Sequence, residues 1–394
     1  MVQNSGGRAL DQQMSIKDKT TTQLIWREIA IITIRQFCKL GGWEKAVKAA
    51  VLHAYNEPLV VDVVTDPDVP STGIVIEVIA CGVCRSDWHG WRGSNSLVRP
   101  PHILGHELAG VVVAVGGNCD GFEIGQRVTA PVIMGCGHCP TCRSGETTAC
   151  SDQFVIGFTA PGAFAQYIAI PNADANVVVI PENISFEDAA ALGCRTTTAF
   201  RGVVDRGKVR PGEVLAVHGC GGVGLSAVMI GKAVGALVVA VDIVPEKLSL
   251  ATEIGADFVL NAEQVPDVGE AIREITAGGA HVSIEALGST QTLLNSLRCL
   301  RKLGRHVQLG QPFGSDAYPQ IPLLETVYYK QISIIGSRGL PSVRFANLFN
   351  LIEASSMPLH KLIKKRIDMS AITTIFEGMS DHSDVGLAIV NRFD

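Results

Sequence analysis

Val214-Leu215-Ala216-Val217-His218-Gly219-Cys220-Gly221-Gly222-Val223-Gly224 decides the fold of this 394-residue chain. The apolar run that ends at His218 reads as a strand buried on both faces, the kind found in a parallel sheet covered by helices. It runs straight into G-x-G-x-x-G at Gly219, Gly221 and Gly224, and Val223 to Val234 continues with helical character. The strand before and the helix after turn a common glycine pattern into a dinucleotide fingerprint. The glycines make a tight turn, admit a pyrophosphate to the backbone and let helix and strand pack closely, while the helix N-terminus attracts phosphate charge. Gly222 and Val223 belong to the same loop. The next strand, Leu237 to Val241, leads to Asp242. A carboxylate there accepts the ribose hydroxyls of NAD and repels the 2′-phosphate of NADP. Ile243 follows where an NADP site wants Arg or a small polar residue, and Lys247, one helical turn on, reaches the adenosine ribose. The competing reading, a plain glycine turn with Asp242 as a helix cap, does not account for the whole arrangement. NAD is the expected cofactor.

Downstream the alternation continues: Pro245 to Ile254 as a helix, then Phe258 to Leu260, Val282 to Ala286, His306 to Leu309 and Ser333 to Gly336 as strands. This is the rhythm of βαβ units and a doubly wound parallel sheet. Upstream, short strands separated by Gly and Pro run over Ala49 to His53, Leu59 to Val64, Ile74 to Ala80, Ala109 to Val115 and Gln126 to Ala130, reading as a compact β-rich domain. A helical stretch from Ser185 to Val204 opens on Ser185-Phe186-Glu187-Asp188, a capping-box pattern with Asp188 as the acidic partner. The roughly 60 residues after Gly336 are too few for a large domain and are expected to return to the first one. Residues 1–46 form an extension of another character, polar to Thr22 and then with apolar residues at helical spacing from Leu24 to Leu40. It reads as an attached helix; an organellar presequence is the competing reading, and Asp11, Asp18 and Glu28 count against it.

At 47% hydrophobic and 18% charged the chain is globular, not disordered. A net charge of −5 argues against a nucleic-acid-binding surface. The early apolar run Ile29 to Ile34 is far too short to span a bilayer, so no membrane partner is expected. Eleven cysteines without a recognisable signal peptide point to a reducing, cytoplasmic compartment and to metal or thiol chemistry.

Four of those cysteines, Cys136, Cys139, Cys142 and Cys150, are spaced C-x2-C-x2-C-x7-C. Short arcs and one longer return fold four thiolates around one zinc, with Gly135, Gly137 and Gly145 supplying the bends. Buried thiols or disulfides fit that spacing poorly. A second set is dispersed: Cys84 in Cys81-Gly82-Val83-Cys84-Arg85-Ser86-Asp87, His106 in Gly105-His106-Glu107, and Cys194 just before the dinucleotide region. Two sulfurs and one imidazole leave a position on zinc open to water or substrate, the arrangement of a catalytic site.

Taken together, Gly105-His106-Glu107-Leu108-Ala109-Gly110 with Gly116, the Cys84-Arg85-Ser86-Asp87 segment, the four-cysteine lobe, Gly193-Cys194 and Gly-x-Gly-Gly-Val-Gly occur in the order of zinc-dependent medium-chain alcohol dehydrogenases, which the chain resembles from about residue 47 to its end. The resemblance implies a GroES-like catalytic domain over 47–194 carrying a structural-zinc lobe at 135–150, a Rossmann domain over 195–335, and a return of 336–394 to the catalytic domain. It implies two zinc ions per chain, with Cys84, His106 and Cys194 holding the catalytic one and Glu107 joining transiently. Asp87 would orient His106. Zinc would act as a Lewis acid toward an alcohol oxygen, and Ser86 would pass the proton by way of the cofactor ribose to His89. Arg85 and Thr198 would join the glycine loop, Asp242 and Lys247 in holding NAD; Val390 stands where some relatives carry a phosphate-binding arginine, which turns attention to Arg338. The implied reaction is oxidation of a primary or aromatic alcohol to an aldehyde, with a polyol dehydrogenase as the second enzyme reading, a non-enzymatic zinc or nucleotide-binding protein as a remote third, and a homodimer or homotetramer as the assembly. Trp88 and Trp91 flank His89 and either line the pocket or pack the loop.

Overall fold

The structure is a computed structural model that describes residues 47–380 and 385–394. The helix read between Leu24 and Leu40 lies outside the described residues. Six parallel strands build the dinucleotide sheet in the order Phe258–Asn261, Leu237–Asp242, Val214–His218, Ala280–Glu285, Leu300–Gln308, Ser333–Gly336. The chain winds outward one way from Val214–His218 and then jumps across it to continue the other way. That reversal makes a crevice between the carboxyl ends of Val214–His218 and Ala280–Glu285, where doubly wound sheets bind ligands. The central strand is buried throughout, as its uninterrupted apolar run requires. Helix Gly222–Ala233 follows it directly. Gly224 lets the two pack, because a Cβ there would overlap the carbonyl oxygen of Gly219.

The second sheet is mixed and centres on Ile74–Val83, which pairs antiparallel with Glu107–Val115, Tyr167–Ile170 and Leu387–Arg392. Leu387–Arg392 in turn pairs with Ile363–Asp368, so the last residues of the chain run beside its early strands. The Ile74 strand continues three residues beyond the expected Ala80, because Cys81 and Gly82 pair with neighbours on both sides and Val83 pairs with Ala388. A hairpin of Ile133–Met134 and Phe154–Val155 closes the base of the cysteine lobe.

The stretch from Ser185 to Val204 is not one regular helix. Ser185 caps Phe186–Ala191, accepting from the Asp188 backbone N–H at 3.0 Å, while its hydroxyl donates to the Asp188 carboxylate at 2.7 Å. The helix then breaks at Gly193, whose φ of −1° and ψ of −116° are not helical, and resumes as Thr197–Phe200. Apolar spacing is blind to that break. Its cause is tertiary: a Cβ at Gly193 would collide with the Cα and side chain of Glu107, so the chain bends where it passes the other sheet. Among the described residues no helix is long and apolar enough to cross a membrane.

Candidate active site

Cys84 ends the strand Ile74–Val83 and begins helix Arg85–Trp91, a seven-residue helix that the sequence pattern does not announce. Gly82 pairs directly with Glu107 across the sheet, which brings His106 beside Cys84. Asp87 ties the two together. One carboxylate oxygen accepts from the Cys84 backbone N–H at 2.9 Å; the other accepts from Gly105 N–H at 3.0 Å and from His106 Nδ1 at 2.8 Å. Asp87 and His106 are fully buried. With Nδ1 held by Asp87, the imidazole directs Nε2 toward the neighbouring sulfurs, where a bound metal would take the place of its proton. Burial works against charge on His106, but the Asp87 carboxylate and the Cys84 sulfur together push its pKa well above the ordinary value.

The break at Gly193 delivers Cys194 to the same place. Ligand atoms of Cys84, His106, Cys194 and Glu107 all lie within 4.8 Å of one another. His106 Nε2 is buried without a hydrogen-bond partner, a costly state for an imidazole nitrogen facing only protein and a natural one for a metal ligand. The donor set therefore fits zinc. Burial raises the Glu107 carboxyl to about 7 against the opposing pull of Arg195, whose guanidinium pairs with it.

The four lobe sulfurs also fit. Cys136–Cys142, Cys139–Cys150 and Cys136–Cys150 are 3.9, 3.8 and 3.7 Å apart. A disulfide would need about 2.05 Å, whereas a tetrahedron with zinc–sulfur bonds of about 2.3 Å has edges of about 3.8 Å. Buried Asn176 anchors the lobe by bonding both the N–H and the carbonyl of Gly135 at 2.9 Å.

A cleft of about 1410 Å3 contains the first cluster and the dinucleotide crevice together. Cys84, Arg85, Ser86, His89, His106 and Cys194 line it, and so do Thr198, Gly219, Gly221, Gly222, Val223, Asp242 and Lys247. Gly224, Asp87 and Glu107 stand behind this lining; the lobe cysteines do not join it, though Glu146, Thr148 and Ala149 of the lobe do. Gly219 sits at φ +93°, and a Cβ at Gly221 would meet no atom within 4 Å. The loop thus presents bare backbone to the cleft, as a pyrophosphate requires. Asp242 braces the loop, accepting from Cys220 N–H at 2.6 Å and from Ile243 and Val244 N–H at 2.8 and 3.0 Å. Arg85 donates to the Met379 carbonyl at 2.9 Å, and Arg338 reaches Gln153 at 3.4 Å on the cleft wall. Ser86 Oγ is 3.7 Å from Cys84 Sγ, and the His89 ring stacks on Phe313 at 4.3 Å.

Neither tryptophan lines the cleft. Trp91 is 6% exposed, donates to the Glu57 carbonyl at 2.6 Å and packs near Phe376. Trp88 donates to Ser380 and carries the Arg85 guanidinium 4.7 Å above its ring. Both pack the loop; the aromatic wall near the cluster is made by Phe158 and Phe313 instead. No sequence signal singles out those two. Arg195 was equally silent, although a charge set beside Cys194 and followed by Thr196-Thr197-Thr198-Ala199-Phe200 is a usable hint.

A Cys–His–Cys cluster, buried at Cys84 and His106 and half-buried at Cys194, that opens onto the switch point of a doubly wound sheet is the plan of a metal-dependent dehydrogenase. Residues 70–182 match the family model for the alcohol dehydrogenase GroES-like domain, and residues 222–354 match that for zinc-binding dehydrogenases. The chain is 37% identical over 294 residues to an alcohol dehydrogenase of Geobacillus stearothermophilus, covering 74% of this chain and 84% of that one. It is 34% identical over 284 residues to a sorbitol dehydrogenase of Bacillus subtilis, covering 71% and 79%. The solved alcohol dehydrogenase TADH from Thermus sp. ATN1 matches with a TM-score of 0.80 at 28% identity, over 88% of this chain and 99% of that one. The chain belongs to the zinc-binding, medium-chain alcohol dehydrogenase family, with its GroES-like and Rossmann-type parts.

Proposed function

We propose that the chain is an NAD-linked, zinc-dependent alcohol dehydrogenase that oxidises a primary or aromatic alcohol to the aldehyde. The observation that carries this reading is the unpartnered, buried Nε2 of His106, set among Cys84 and Cys194 on the wall of the cleft that also holds the glycine loop. Zinc held by those three residues would supply Lewis acidity to an alcohol oxygen, and NAD on the loop would supply the hydride acceptor. A second zinc would sit in the lobe on Cys136, Cys139, Cys142 and Cys150, with a structural role.

The chain's own residues supply the rest. Asp87 fixes the ring of His106 and the backbone of Cys84 at once, so both ligands keep their geometry without help from a substrate. Ser86 takes the proton of the alcohol, and His89, held by its stack on Phe313, delivers it towards solvent. Asp242 favours a free 2′-hydroxyl over a 2′-phosphate, which selects NAD. Phe158, Val132, Ile133 and Leu309 give an apolar wall suited to an alkyl or benzylic group. A second reading, oxidation of a polyol, is favoured by the likeness to sorbitol dehydrogenase.

The test is NADH formation by the purified chain with ethanol, a longer alkanol, benzyl alcohol and a vicinal diol. Faster turnover of the primary or benzylic alcohols supports the leading reading, preference for the diol moves the enzyme to the polyol class, and no NADH from any of them removes both.

A further inference from the structure

Arg195 is a buried cation that the reaction has not used. It is 5% exposed, and it joins the two halves of the cleft. Its stem lies against Gly222 of the dinucleotide loop, where a Cβ would overlap Arg195 Cδ. Its guanidinium lies beside Gly82, where a Cβ would come 2.8 Å from the Arg195 head. There the guanidinium grips Glu107 with two nitrogens, Nε donating to Oε1 at 2.9 Å and Nη2 to Oε2. The backbone N–H groups of Cys194 and Arg195 donate to Oε1 as well, at 3.1 and 3.2 Å.

Glu107 is therefore in an unusual position. Its carboxylate is within 4.8 Å of the Cys84, His106 and Cys194 ligand atoms, close enough to complete a metal's coordination by a small rotation. A carboxylate oxygen is a competent zinc ligand, so it would compete with an alcohol for the open place. Yet Oε1 already accepts three N–H bonds and Oε2 faces a guanidinium. A swing toward the metal would strand a buried charge that cannot be discharged, because arginine stays protonated in proteins.

We propose that Arg195 is a positioning residue that holds Glu107 away from the metal and so keeps one coordination place free for substrate. The proposal rests on the reading of Cys84, His106 and Cys194 as metal ligands, and its test separates the two. The full chain is loaded with cobalt(II) and titrated with imidazole, following the visible absorption. The lobe cluster has no open place, so only the cleft metal responds.

For the wild type the bands shift with imidazole. For Arg195→Ala the freed Glu107 competes, and the apparent imidazole affinity falls about tenfold, as expected when the competent form drops to about a tenth of the population. In Arg195→Met/Glu107→Leu the competitor is gone and an apolar pair replaces the ion pair, so the affinity returns to the wild-type value. Wild-type imidazole affinity in Arg195→Ala overturns the proposal. If that single variant does not fold, Arg195→Gln, which keeps the stem and removes the charge, takes its place: an imidazole affinity about tenfold below wild type that Glu107→Leu restores supports the proposal, and wild-type affinity overturns it. A wild-type protein whose cobalt bands ignore imidazole removes the metal reading itself, and the proposal with it.

Discussion

Ser86 carries the sharpest single-residue prediction. Its hydroxyl lines the cleft 3.7 Å from Cys84 Sγ and has no ligand atom for a soft metal, so its removal should spare the metal and cost the proton path. Ser86→Ala should lower kcat about 100-fold or more while zinc content per chain stays unchanged; zinc analysis beside steady-state kinetics checks both halves. Trp91 makes the opposite case. Because it packs against Phe376 and bonds Glu57 away from the cleft, Trp91→Ala should cost about 3–5 kcal/mol of stability and leave the alcohol preference as it was, measured by denaturant unfolding and a substrate panel. Residues of this kind divide by how much chemistry restricts them. The lobe cysteines stand out in the sequence because few side chains can hold zinc and their spacing is narrow. Cys84, His106 and Cys194 are dispersed and are linked there only by the order of motifs in the resemblance; the structure gathers each set into one cluster. Phe158, Phe313 and Arg195 were not legible there, since a wall or a buried cation is defined by what the fold places opposite it. Trp88 and Trp91 sit beside His89 in sequence, yet helix Arg85–Trp91 turns them away from the cleft.

At the scale of elements, the glycine loop was readable because each glycine answers a local demand, a turn at Gly219 and a close approach at Gly224. The broken helix after Ser185 was not, because its apolar pattern is continuous and the obstacle, Glu107, comes from a distant strand. The parallel sheet carries a pH dependence of its own. His218 ends one strand and His306 lies within another, both buried, and burial lowers them to about 3 and about 4 respectively, the nearby His306 adding to the effect on His218. Both folded values lie below the ordinary one, so above pH 6.5 neither residue affects stability. Below it the unfolded chain binds protons that the folded chain refuses, and stability falls as pH drops towards 4. Each histidine should cost about 2 kcal/mol by pH 5. The urea midpoint should therefore decline between pH 6.5 and 5, and His306→Asn should flatten that decline by about half.

For the whole molecule, the proposed function assigns different tasks to the two clusters that could hold a metal. None of the four lobe cysteines lines the cleft, although Glu146, Thr148 and Ala149 between them do. The lobe is closed at its base by one hairpin and pinned by Asn176, so losing its metal should loosen the fold and spare the cleft's own ligands. Cys139→Ser should bring zinc from two ions per chain to one, lower Tm by several degrees and leave the order of preferred alcohols intact, read by metal analysis, calorimetry and the substrate panel. The large-scale plan was legible from the change of rhythm near Pro211, from short strands to alternating strands and helices. The pairing of Leu387–Arg392 with the Ile74 strand needed the structure for its register, because a six-residue strand fits many edges. On the proposed chemistry, NAD-linked alcohol oxidation depends on a cleft metal held by Cys84, His106 and Cys194. The direct measurement is NADH formation from benzyl alcohol by the full chain before chelation, after it, and after zinc is returned. Turnover should disappear with the metal and come back with zinc; turnover that survives removal of the cleft metal would rule out the metal-dependent reaction.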